Sequence, residues 1–425
     1  MKAVILSAGE GTRMRPLTIT KPKTMLPVAG KPIIQYNIEA LRDCGITDIL
    51  LIVGYKEEMV RNYFKDGKHL GVNISYKTQT NLAGTANAIG YAKDFIDDSL
   101  IVLNGDIILD VSILSEIISD YEENKPDSLM VLKEVDDPTR FGVVELKEDH
   151  VVHIVEKPEL EDAPSNLANT GIYIFNTDIF NKIAKTTESP RGEFEITDSL
   201  SMQIDENKFV KGHKTEKEWL DIGKPWELIE INEELIGDIE TCIKGKIESG
   251  VTIHGNIVLE EGSIIKSGVY IEGSVYIGKN CDIGPNSYIR GNTYFGDNVH
   301  IGNAVEIKNS IIMENTNVSH LSYVGDSVLG SSCNIAAGTN IANLRFDNKT
   351  VKTVIKDKKI DSGRRKLGAI VGDYTKTGIN SSLSPGVKVG SNSTIGSNVL
   401  LSEDIGSNTR ILVKQEHIVQ CKDDE

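Results

Sequence analysis

Apolar residues divide the chain into two regions with different periods. Up to about residue 240, short apolar runs alternate with helical patterns. The runs at 3–8, 48–55 and 99–106 predict buried strands, and apolar residues at 34, 38 and 41 predict a helix that ends at Gly45. Strands separated by helices of this length predict an α/β domain over residues 1–240, with a mostly parallel sheet covered on both faces.

From residue 253 the apolar period changes to six. Ten consecutive apolar residues follow at this interval, from Ile253 to Ile307, and many are followed by Gly, as in IGKNCD and FGDNVH. A helix has a period of about 3.6 and a strand one of about 2, so neither gives this spacing. A coil with a short strand and a tight turn every six residues does. The pattern slips near Ser319, resumes through Leu329 and returns at Val371. Residues 241–425 are therefore predicted to form a parallel β-helix of hexapeptide repeats, whose hand the spacing does not fix.

Composition excludes several classes of protein. No apolar run in the 425 residues approaches the ~20 that a membrane span needs, and Met1 leads directly into a strand, so we predict a cytoplasmic protein. Five cysteines without CxxC spacing indicate neither a zinc site nor a disulfide framework. A formal charge of −16 argues against a nucleic-acid partner, because polyanions bind to basic faces. Any phosphate ligand would need a local basic patch.

Such a patch follows the first predicted strand. Gly9 and Gly11 carry no Cβ, so backbone N–H groups in this loop can approach a phosphate closely. The loop contains neither GxGxxG nor GxxxxGK[ST], which removes the main support for hydride transfer or ATP hydrolysis. Prolines at 16, 22, 27 and 32 would hold the loop in one shape, although a solvated basic loop remains an alternative. Its cations are Arg13, Arg15, Lys21 and Lys23.

The run GxGTRMxPxTxxxPKxMLPVxGKP, residues 9–32, resembles the signature of sugar-1-phosphate nucleotidyltransferases. Together with the hexapeptide repeats, it resembles the bifunctional family that acetylates glucosamine 1-phosphate and then uridylylates the product. The likeness is to the archaeal form, whose first domain is close to glucose-1-phosphate thymidylyltransferases. The resemblance implies a Rossmann-like nucleotidyltransferase domain, 1–240, followed by a left-handed β-helix acyltransferase domain, 241–425.

In the first reaction that the resemblance implies, a sugar-phosphate oxygen attacks the α-phosphorus of a nucleoside triphosphate and pyrophosphate leaves. This reaction needs cations and a metal more than proton transfer. By resemblance, Arg13 neutralises the pyrophosphate and Lys23 bridges the two reacting phosphates. Asp106, at a predicted strand end, and Asp221, in WLDIG, would hold Mg²⁺, although either could be a turn or cap residue. WLDxG is the thymidylyltransferase form and the bacterial bifunctional enzymes have asparagine there, so the choice between UTP and dTTP stays open.

The resemblance also implies the remaining contacts of this site. The candidate sugars are glucosamine 1-phosphate, N-acetylglucosamine 1-phosphate and glucose 1-phosphate. Glu195 lies in the motif GEFEITD, which could instead be a simple helix start. The nucleotide-binding residues are Ala8, Gly9, Gly11, Thr12, Gln79, Gly84 and Thr85. The sugar-phosphate-binding residues are Gly142, Glu156, Lys157, Asn169 and Glu195.

The segment 305–326 matches the acetyltransferase segment of the bifunctional family. By resemblance His320 is the base that takes the proton of the attacking amine, beside Lys308, which would hold a sugar phosphate; a structural histidine is the alternative. Residues 343–368 carry nine basic and three acidic side chains, which suggests the phosphates of acetyl-CoA, or else a solvated loop. Leu344 stands where the bacterial enzyme has tyrosine, so that contact is not carried over. The further substrate-binding residues are Tyr323, Asn334 and Ala337.

Three functions remain open from the sequence. The first is a bifunctional nucleotidyltransferase and N-acetyltransferase that makes UDP-N-acetylglucosamine or a related sugar nucleotide. The second is a monofunctional glucose- or mannose-1-phosphate nucleotidyltransferase with a structural β-helix. The third, a non-catalytic subunit, is disfavoured because the cationic and metal-binding residues are present. The flat sides of a triangular coil also predict a homotrimer with acetyltransfer sites between neighbouring subunits.

Overall fold

The computed structural model describes residues 1–419, so Cys421 lies outside the described residues. Contacts within this part of the chain separate two compact units. The first unit comprises Met1–Gly11, Lys21–Leu26 and Lys31–Gly223, and the second comprises Thr12–Thr20, Pro27–Gly30 and the chain from Lys224 onward. The division is therefore not a single cut in the sequence, and the boundary at residue 240 stays a prediction.

A twisted sheet forms the centre of the first unit. The strands through residue 223 are β1 (Lys2–Ser7), β2 (Pro27–Val28), β3 (Lys31–Pro32), β4 (Asp48–Val53), β5 (Asn73–Thr78), β6 (Ser99–Asn104), β7 (Ile107–Leu109), β8 (Ser128–Glu134), β9 (Gly142–Lys147), β10 (His150–Glu156), β11 (Leu167–Asn176), β12 (Val210–Lys214) and β13 (Trp219–Asp221). The strand order of the sheet is β5-β4-β1-β6-β11-β8-β12-β10-β9, and β13 pairs separately with β7.

The predicted α/β fold class is confirmed, and the sheet is mixed in detail. β1, β4, β5 and β6 are parallel, as the apolar runs predict. β11 then inserts antiparallel between β6 and β8, and β10 runs antiparallel to β9 and β12. Because β1, β4 and β6 are parallel neighbours, their carboxyl ends meet at one edge, where open α/β sheets bind ligands.

Helices cover both faces of this sheet because the buried strands send alternate residues to opposite sides. Ala3 and Ile5 pack with Ile34 and Ile38 of the helix Ile33–Asp43 (α1), whereas Val4 packs on the other face with Ile89. The predicted end of α1 is confirmed, since Gly45 follows it with φ +80°. The helices of the first unit are α1 (Ile33–Asp43), α2 (Glu57–Phe64), α3 (Thr85–Gly90), α4 (Val111–Asn124), α5 (Ile179–Ile183) and α6 (Ile196–Asp205), and α7 (Glu227–Gly237) belongs to the second unit. Short 3-10 helices span Thr12–Met14, Leu17–Ile19, Lys23–Met25, Lys68–Leu70, Pro138–Arg140 and Leu160–Asp162.

The second unit is built on the predicted parallel β-helix. Within the described residues its coils form three parallel sheets, with apolar residues of successive coils stacked inward. Sheet one contains Cys242–Ile243, Ile257–Leu259, Val275–Ile277, Thr293–Phe295, Ile311–Ile312, Val328–Leu329, Ile370–Val371 and Lys388–Val389. Sheet two contains Lys246–Ile247, Ile264–Ile265, Asp282–Ile283, His300–Asn303, Asn317–His320, Asn334–Ile335, Lys376–Thr377, Thr394–Ile395 and Arg410–Ile411. Sheet three contains Thr252–His254, Tyr270–Glu272, Tyr288–Arg290, Glu306–Lys308, Tyr323–Gly325, Asn340–Ile341, Ser382–Leu383 and Leu400–Leu401.

The slip in the sequence pattern has a structural cause. From Ile247 to Phe295 each coil contains 18 residues, as the pairings of Ile247 with Ile265 and of Ile277 with Phe295 show. Phe295 then pairs with Ile312, and Ile312 with Leu329, so these two coils are one residue shorter. The missing residue lies at the corner that enters sheet one, and the inward stacking continues across it.

The basic segment 343–368 leaves the coils between sheets three and one. It contains an antiparallel hairpin of Lys352–Ile355 and Lys358–Asp361. In the described chain, no helix combines the length and apolar character that crossing a membrane requires. Among residues 1–419 the cysteines are free thiols, and burial raises the pKa of Cys281 to about 11.

Candidate functional site

The loop after β1 has the backbone freedom that a close phosphate contact requires. Ser7 ends β1, and its hydroxyl lies 2.6 Å from the hydroxyl of Thr24, which joins the loop to the segment that follows Pro22. A Cβ at Gly9 would meet no atom within 4 Å, and the φ of Gly9 is not positive. Neither packing nor backbone conformation therefore demands glycine there. Open space beside its backbone suits an approaching ligand.

Lys23 and Asp106 form an ion pair at the carboxyl edge of the sheet. Lys23 lies on a 3-10 helix and is 7% exposed, and its Nζ is 2.5 Å from Oδ2 of Asp106. Asp106 follows β6 through Gly105, where a Cβ would come within 2.6 Å of the Leu6 carbonyl oxygen. Glycine at 105 thus lets the aspartate loop pass against β1. The result is a fixed cation beside a carboxylate, at the strand ends where the sequence predicts chemistry.

Asp221 lies next to Asp106 through strand pairing. β13 runs antiparallel to β7 with Asp221 opposite Ile107, and the Ile222 N–H donates to the Asp106 carbonyl. The Asp106 and Asp221 side chains are 32% and 26% exposed, so a ligand can reach both carboxylates. Their oxygens are the donors that Mg²⁺ prefers, and the two residues fit such an ion provided that substrate oxygens or water complete its coordination. In the described chain no group of three or more His, Cys, Asp or Glu residues could hold a metal alone.

The predicted base-binding residues lie between β5 and α3. Gln79 is 5% exposed, and its Nε2 donates to the Gly84 carbonyl and to Oδ1 of Asn87. Its amide oxygen is thus the atom suited to accept from a pyrimidine N–H. Thr85 begins α3, but its hydroxyl accepts from the Ile196 N–H, and the Ala86 N–H donates to Phe194. These contacts within the protein occupy the Thr85 hydroxyl and the Ala86 N–H, two groups at the start of α3 that a nucleotide would otherwise contact.

Gly142, Glu156 and Asn169 come together on adjacent strands. Gly142 pairs with Glu156 across β9 and β10, and a Cβ on Gly142 would come within 2.8 Å of Glu156 Oε2 and 3.7 Å of the Asn169 Cβ. Asn169 lies at an irregularity of β11, and its Nδ2 donates to the hydroxyl of Tyr173. The strand pairing therefore gathers a carboxylate and an amide, the groups suited to sugar hydroxyls.

Glu195 is the N-cap residue of α6, yet its side chain makes no cap hydrogen bond. It is 5% exposed and accepts from the Ser189 hydroxyl at 2.9 Å. Arg191 bridges it to Glu156, with NH1 3.3 Å from Glu195 Oε1 and 3.1 Å from Glu156 Oε1. Burial raises the pKa of Glu195, and the charge of Glu156 adds to the effect. Lys157 also lies near Glu156, with its Nζ 3.5 Å from Oε1.

Thr12 and Arg13 belong by their contacts to the second unit. They lie on the short helix Thr12–Met14, and Arg13 is exposed, as is Arg15. Lys21, in contrast, is buried in the first unit. The roles predicted for these cations stay predictions.

In the β-helix, the buried Asp326 contacts Lys308 directly and is linked to Tyr323 through Asn343. Both carboxylate oxygens of Asp326 lie 2.8 Å from Lys308 Nζ. Asn343 Nδ2 donates to Asp326 Oδ2 at 2.5 Å and to the Tyr323 hydroxyl at 3.0 Å. Burial raises the pKa of Tyr323, and the carboxylates of Asp326 and Glu306 contribute. The structure thus joins two predicted site residues through two that the sequence analysis did not assign.

His320 lies at a different corner from Lys308. It ends the sheet-two strand Asn317–His320 and is exposed, and its carbonyl accepts from the Gly338 N–H. Its coil therefore stacks on the one that carries Asn334 and Ala337. The prediction that His320 lies beside Lys308 is not realised as a contact: no hydrogen bond or ion pair joins them in the part of the chain described here.

The basic segment 343–368 divides into paired and exposed cations. Arg364 is 14% exposed and its guanidinium lies 2.6 Å from Glu233 of α7, while Arg345 pairs with Asp347. The exposed lysines suit an anionic ligand and include Lys349, Lys352, Lys356, Lys358 and Lys359.

Sequence reasoning missed several residues of these sites. Arg191 stands immediately before GEFEITD, and its charge beside a predicted sugar motif was a usable signal. Arg140 lies with NH2 3.9 Å from Asp221, which only the strand geometry reveals. Arg290 precedes Lys308 by 18 residues, one full coil, and the two pair in register. The repeat period alone would place it on the same face as Lys308.

Family models match most of the chain. The nucleotidyl transferase model matches residues 2–237, the GMPPB C-terminal domain model matches 271–358, and the bacterial transferase hexapeptide model, with six repeats, matches 368–403.

Similar proteins extend over nearly the full length. A bifunctional protein GlmU of Methanocaldococcus jannaschii is 47% identical over 98% of this chain and 99% of its own. A bifunctional sugar-1-phosphate nucleotidylyltransferase/acetyltransferase of Sulfurisphaera tokodaii is 44% identical over 96% of this chain and 98% of its own. A solved structure of a putative glucose-1-phosphate thymidylyltransferase from Bacillus anthracis is 32% identical with a TM-score of 0.52, covering 57% of this chain and 98% of that chain.

Proposed function

This chain belongs to the nucleotidyl transferase family and, along nearly its whole length, to the bifunctional nucleotidylyltransferase/acetyltransferases, and from that premise we propose how its residues perform the two reactions. It is a bifunctional enzyme, a nucleotidyltransferase and an N-acetyltransferase that serves UDP-N-acetylglucosamine synthesis. The substrates that we propose are UTP or dTTP, acetyl-CoA and glucosamine 1-phosphate, with the N-acetylated sugar phosphate between the two steps. We place the enzyme in the cytoplasm.

Nucleotidyl transfer takes place at the carboxyl edge of the sheet. A sugar-phosphate oxygen forms a bond to the α-phosphorus while the bond to the pyrophosphate oxygen breaks. Lys23, held by Asp106, stabilises the negative charge shared by the two phosphates, and Arg13 stabilises the departing pyrophosphate. The N–H groups around Gly9 and Gly11 hold the triphosphate. The nucleophile is already anionic, so this step needs no side-chain base.

The family implies a divalent metal, which we propose to be Mg²⁺ held by Asp106 and Asp221. When bound, such an ion neutralises phosphate charge and orients phosphate oxygens. Arg140, 3.9 Å from Asp221, keeps the second carboxylate next to a cation. Gln79 reads the pyrimidine edge, whereas Glu156, Asn169 and Glu195 read sugar hydroxyls.

Acetyl transfer takes place on the β-helix. The sugar amine attacks the thioester carbonyl carbon, so that a C–N bond forms and the C–S bond breaks. His320 takes the proton from the nitrogen, and a proton returns to the departing coenzyme A thiolate. Lys308 and Tyr323 hold the sugar phosphate, Asn334 and Ala337 contact the acyl donor, and the exposed lysines of 343–368 receive coenzyme phosphates.

The observation that carries this proposal is the joining of Lys23, Asp106 and Asp221 at one sheet edge. The test is a pair of assays: coenzyme A release is measured with glucosamine 1-phosphate and acetyl-CoA, and pyrophosphate release is measured with N-acetylglucosamine 1-phosphate and UTP or dTTP. We expect Lys23→Met to lower pyrophosphate release by a factor of about 10²–10³, the usual effect of removing one transition-state donor, and to leave coenzyme A release unchanged.

His320→Ala should do the reverse. Lys77→Met, which removes a half-buried lysine 3.7 Å from Asp94, is the matched control for Lys23→Met and should change neither rate. Full coenzyme A release from His320→Ala would remove the acetyltransfer assignment of this residue. Full pyrophosphate release from Lys23→Met would remove the first mechanism.

A further inference from the structure

One corner of the β-helix changes along its length from glycine to polar side chains. The corner between sheets three and one is occupied in successive coils by Gly273, Gly291, Asn309 and Asp326, with φ of 96°, 68°, 47° and 47°. Glycine adopts this left-handed conformation without steric cost, whereas asparagine and aspartate adopt it at some cost. The side chains at 309 and 326 therefore need a reason other than the turn itself.

Asp326 accepts hydrogen bonds from several directions although it is almost completely buried. Its side chain is 2% exposed, and both oxygens lie 2.8 Å from Lys308 Nζ. Asn309 Nδ2 donates to Oδ1 at 3.0 Å, and Asn343 Nδ2 donates to Oδ2 at 2.5 Å. A buried carboxylate is strongly destabilising unless it is paired and hydrogen-bonded, and this one is both.

These bonds fix the groups that would meet the sugar phosphate. An ammonium has three N–H donors, and Asp326 can take two of those of Lys308, which leaves one in a defined direction. Asn343 is held between Asp326 and the Tyr323 hydroxyl. The carboxylate thus orients Lys308 directly and Tyr323 through Asn343.

Further hydrogen bonds and ion pairs connect the corner at Asp326 to α7 and to Arg364. Asn309 Nδ2 also donates to Oε1 of Glu233 on α7, and that oxygen lies 2.6 Å from the Arg364 guanidinium. Arg364 has a second carboxylate partner in Glu230, 3.4 Å away. The connected groups run from Arg364 through Glu233 and Asn309 to Asp326. Arg364 thereby stabilises this corner and differs from the exposed lysines of its segment.

We propose that Asp326 is a positioning residue of the acetyltransfer site, which holds Lys308 directly, and Tyr323 through Asn343, in the orientation that binds the phosphate of glucosamine 1-phosphate. This inference rests on the proposed acetyltransferase function. Asp326 itself contacts no substrate. Its effect is on the binding of the sugar phosphate and not on that of acetyl-CoA.

The test is Asp326→Asn in the full-length enzyme. An asparagine has one acceptor oxygen, and its NH₂ group would face donors of Lys308, Asn309 or Asn343, so the lysine loses its fixed direction. We expect the KM for glucosamine 1-phosphate in acetyl transfer to rise tenfold or more, with a smaller change in kcat. The KM for acetyl-CoA and the rate of pyrophosphate release should stay at wild-type values, which a general loss of folding would not allow.

Asp282→Asn is the matched control. Asp282 also pairs with a lysine across adjacent coils, Lys266, but its side chain is 41% exposed, and we expect no change in either KM. If Asp326→Asn does not fold, the same comparison of constants is made with Asn343→Ala, for which we again expect the sugar-phosphate KM to rise.

The outcomes separate the two claims. A wild-type enzyme that releases no coenzyme A with glucosamine 1-phosphate overturns the proposed function, and this inference with it. An active wild type together with an unchanged sugar-phosphate KM in the folded variant overturns the inference alone. A rise confined to the sugar-phosphate KM supports both.

Discussion

At the scale of single residues, the sugar side of the first site keeps a carboxylate in a position that costs stability. Glu195 is 5% exposed and shares Arg191 with a second carboxylate, Glu156. Burial and the neighbouring negative charge both disfavour its ionised form, so its pKa is raised. Asp198, in the first turn of α6, has a raised pKa for the same two reasons. Residues held at such a cost are characteristic of functional sites.

The stability effect of Glu195 has a definite sign. Because its folded pKa is raised, the folded state binds more protons than the unfolded state above the ordinary glutamate pKa of about 4.3. Stability from this group is therefore present at low pH and is lost as pH rises through the folded pKa. Glu195→Gln, which does not titrate, should match wild type near pH 4 and exceed its Tm at pH 7.

Thermal melts from pH 4 to pH 7 measure this difference. Glu193→Gln, an exposed glutamate two residues away, is the control and should follow wild type at every pH. If the Tm of Glu195→Gln ran parallel to that of wild type across the range, the buried carboxylate would not be the source of the pH dependence. The same variant should bind the sugar phosphate more weakly, because an amide replaces an ionised acceptor.

At the scale of elements, the sequence predicts the coils from their repeated apolar spacing, but it does not predict which strands pair or in which direction they run. The apolar spacing from Ile253 to Ile307 predicts the coils because each turn must place one apolar residue inside. The runs in β1, β4 and β6 predict strands, but an apolar run carries no direction, so the antiparallel insertion of β11 was not predictable. The same holds at the two sites: motifs point to Lys308 and Glu195, whereas the contacts that Asp326 and Arg191 make with them follow from register and loop geometry.

The inward residues of the coils should carry the stability of the β-helix. Ile395 is fully buried in the strand Thr394–Ile395, and its neighbour Thr394 points outward and is half-buried. Ile395→Ala removes buried methyl groups and leaves a cavity, so it should lower the free energy of unfolding by about 2–5 kcal/mol. Thr394→Ala should change it by less than about 0.5 kcal/mol. Denaturant titrations of the full-length chain compare the two, and equal effects would contradict inward packing as the main source of stability.

At the scale of the whole molecule, the β-helix exposes large apolar side chains that a second protein surface would cover. Leu321 is 64% exposed and follows His320 directly, and Ile379 is 53% exposed at the same type of corner. Large apolar side chains clustered near a site indicate an interaction surface. We propose that a second copy covers them in a homotrimer, with acetyltransfer sites between neighbouring subunits.

Disruption of this subunit interface should lower acetyl transfer and leave nucleotidyl transfer unchanged. Light scattering of the wild type should give about three times the chain mass of 46.6 kDa.

Leu321→Asp should shift the enzyme toward the monomer, because an unpaired carboxylate in an apolar interface is strongly unfavourable. Coenzyme A release should fall with the trimer fraction, while pyrophosphate release, which depends on the sheet edge of the first unit, should not. Asn392→Asp adds the same charge at an exposed position on the corner between sheets one and two, and should leave the mass and both activities unchanged. A wild-type monomer at working concentration would exclude the trimer, and a monomeric variant with full acetyl transfer would place the second site within a single subunit.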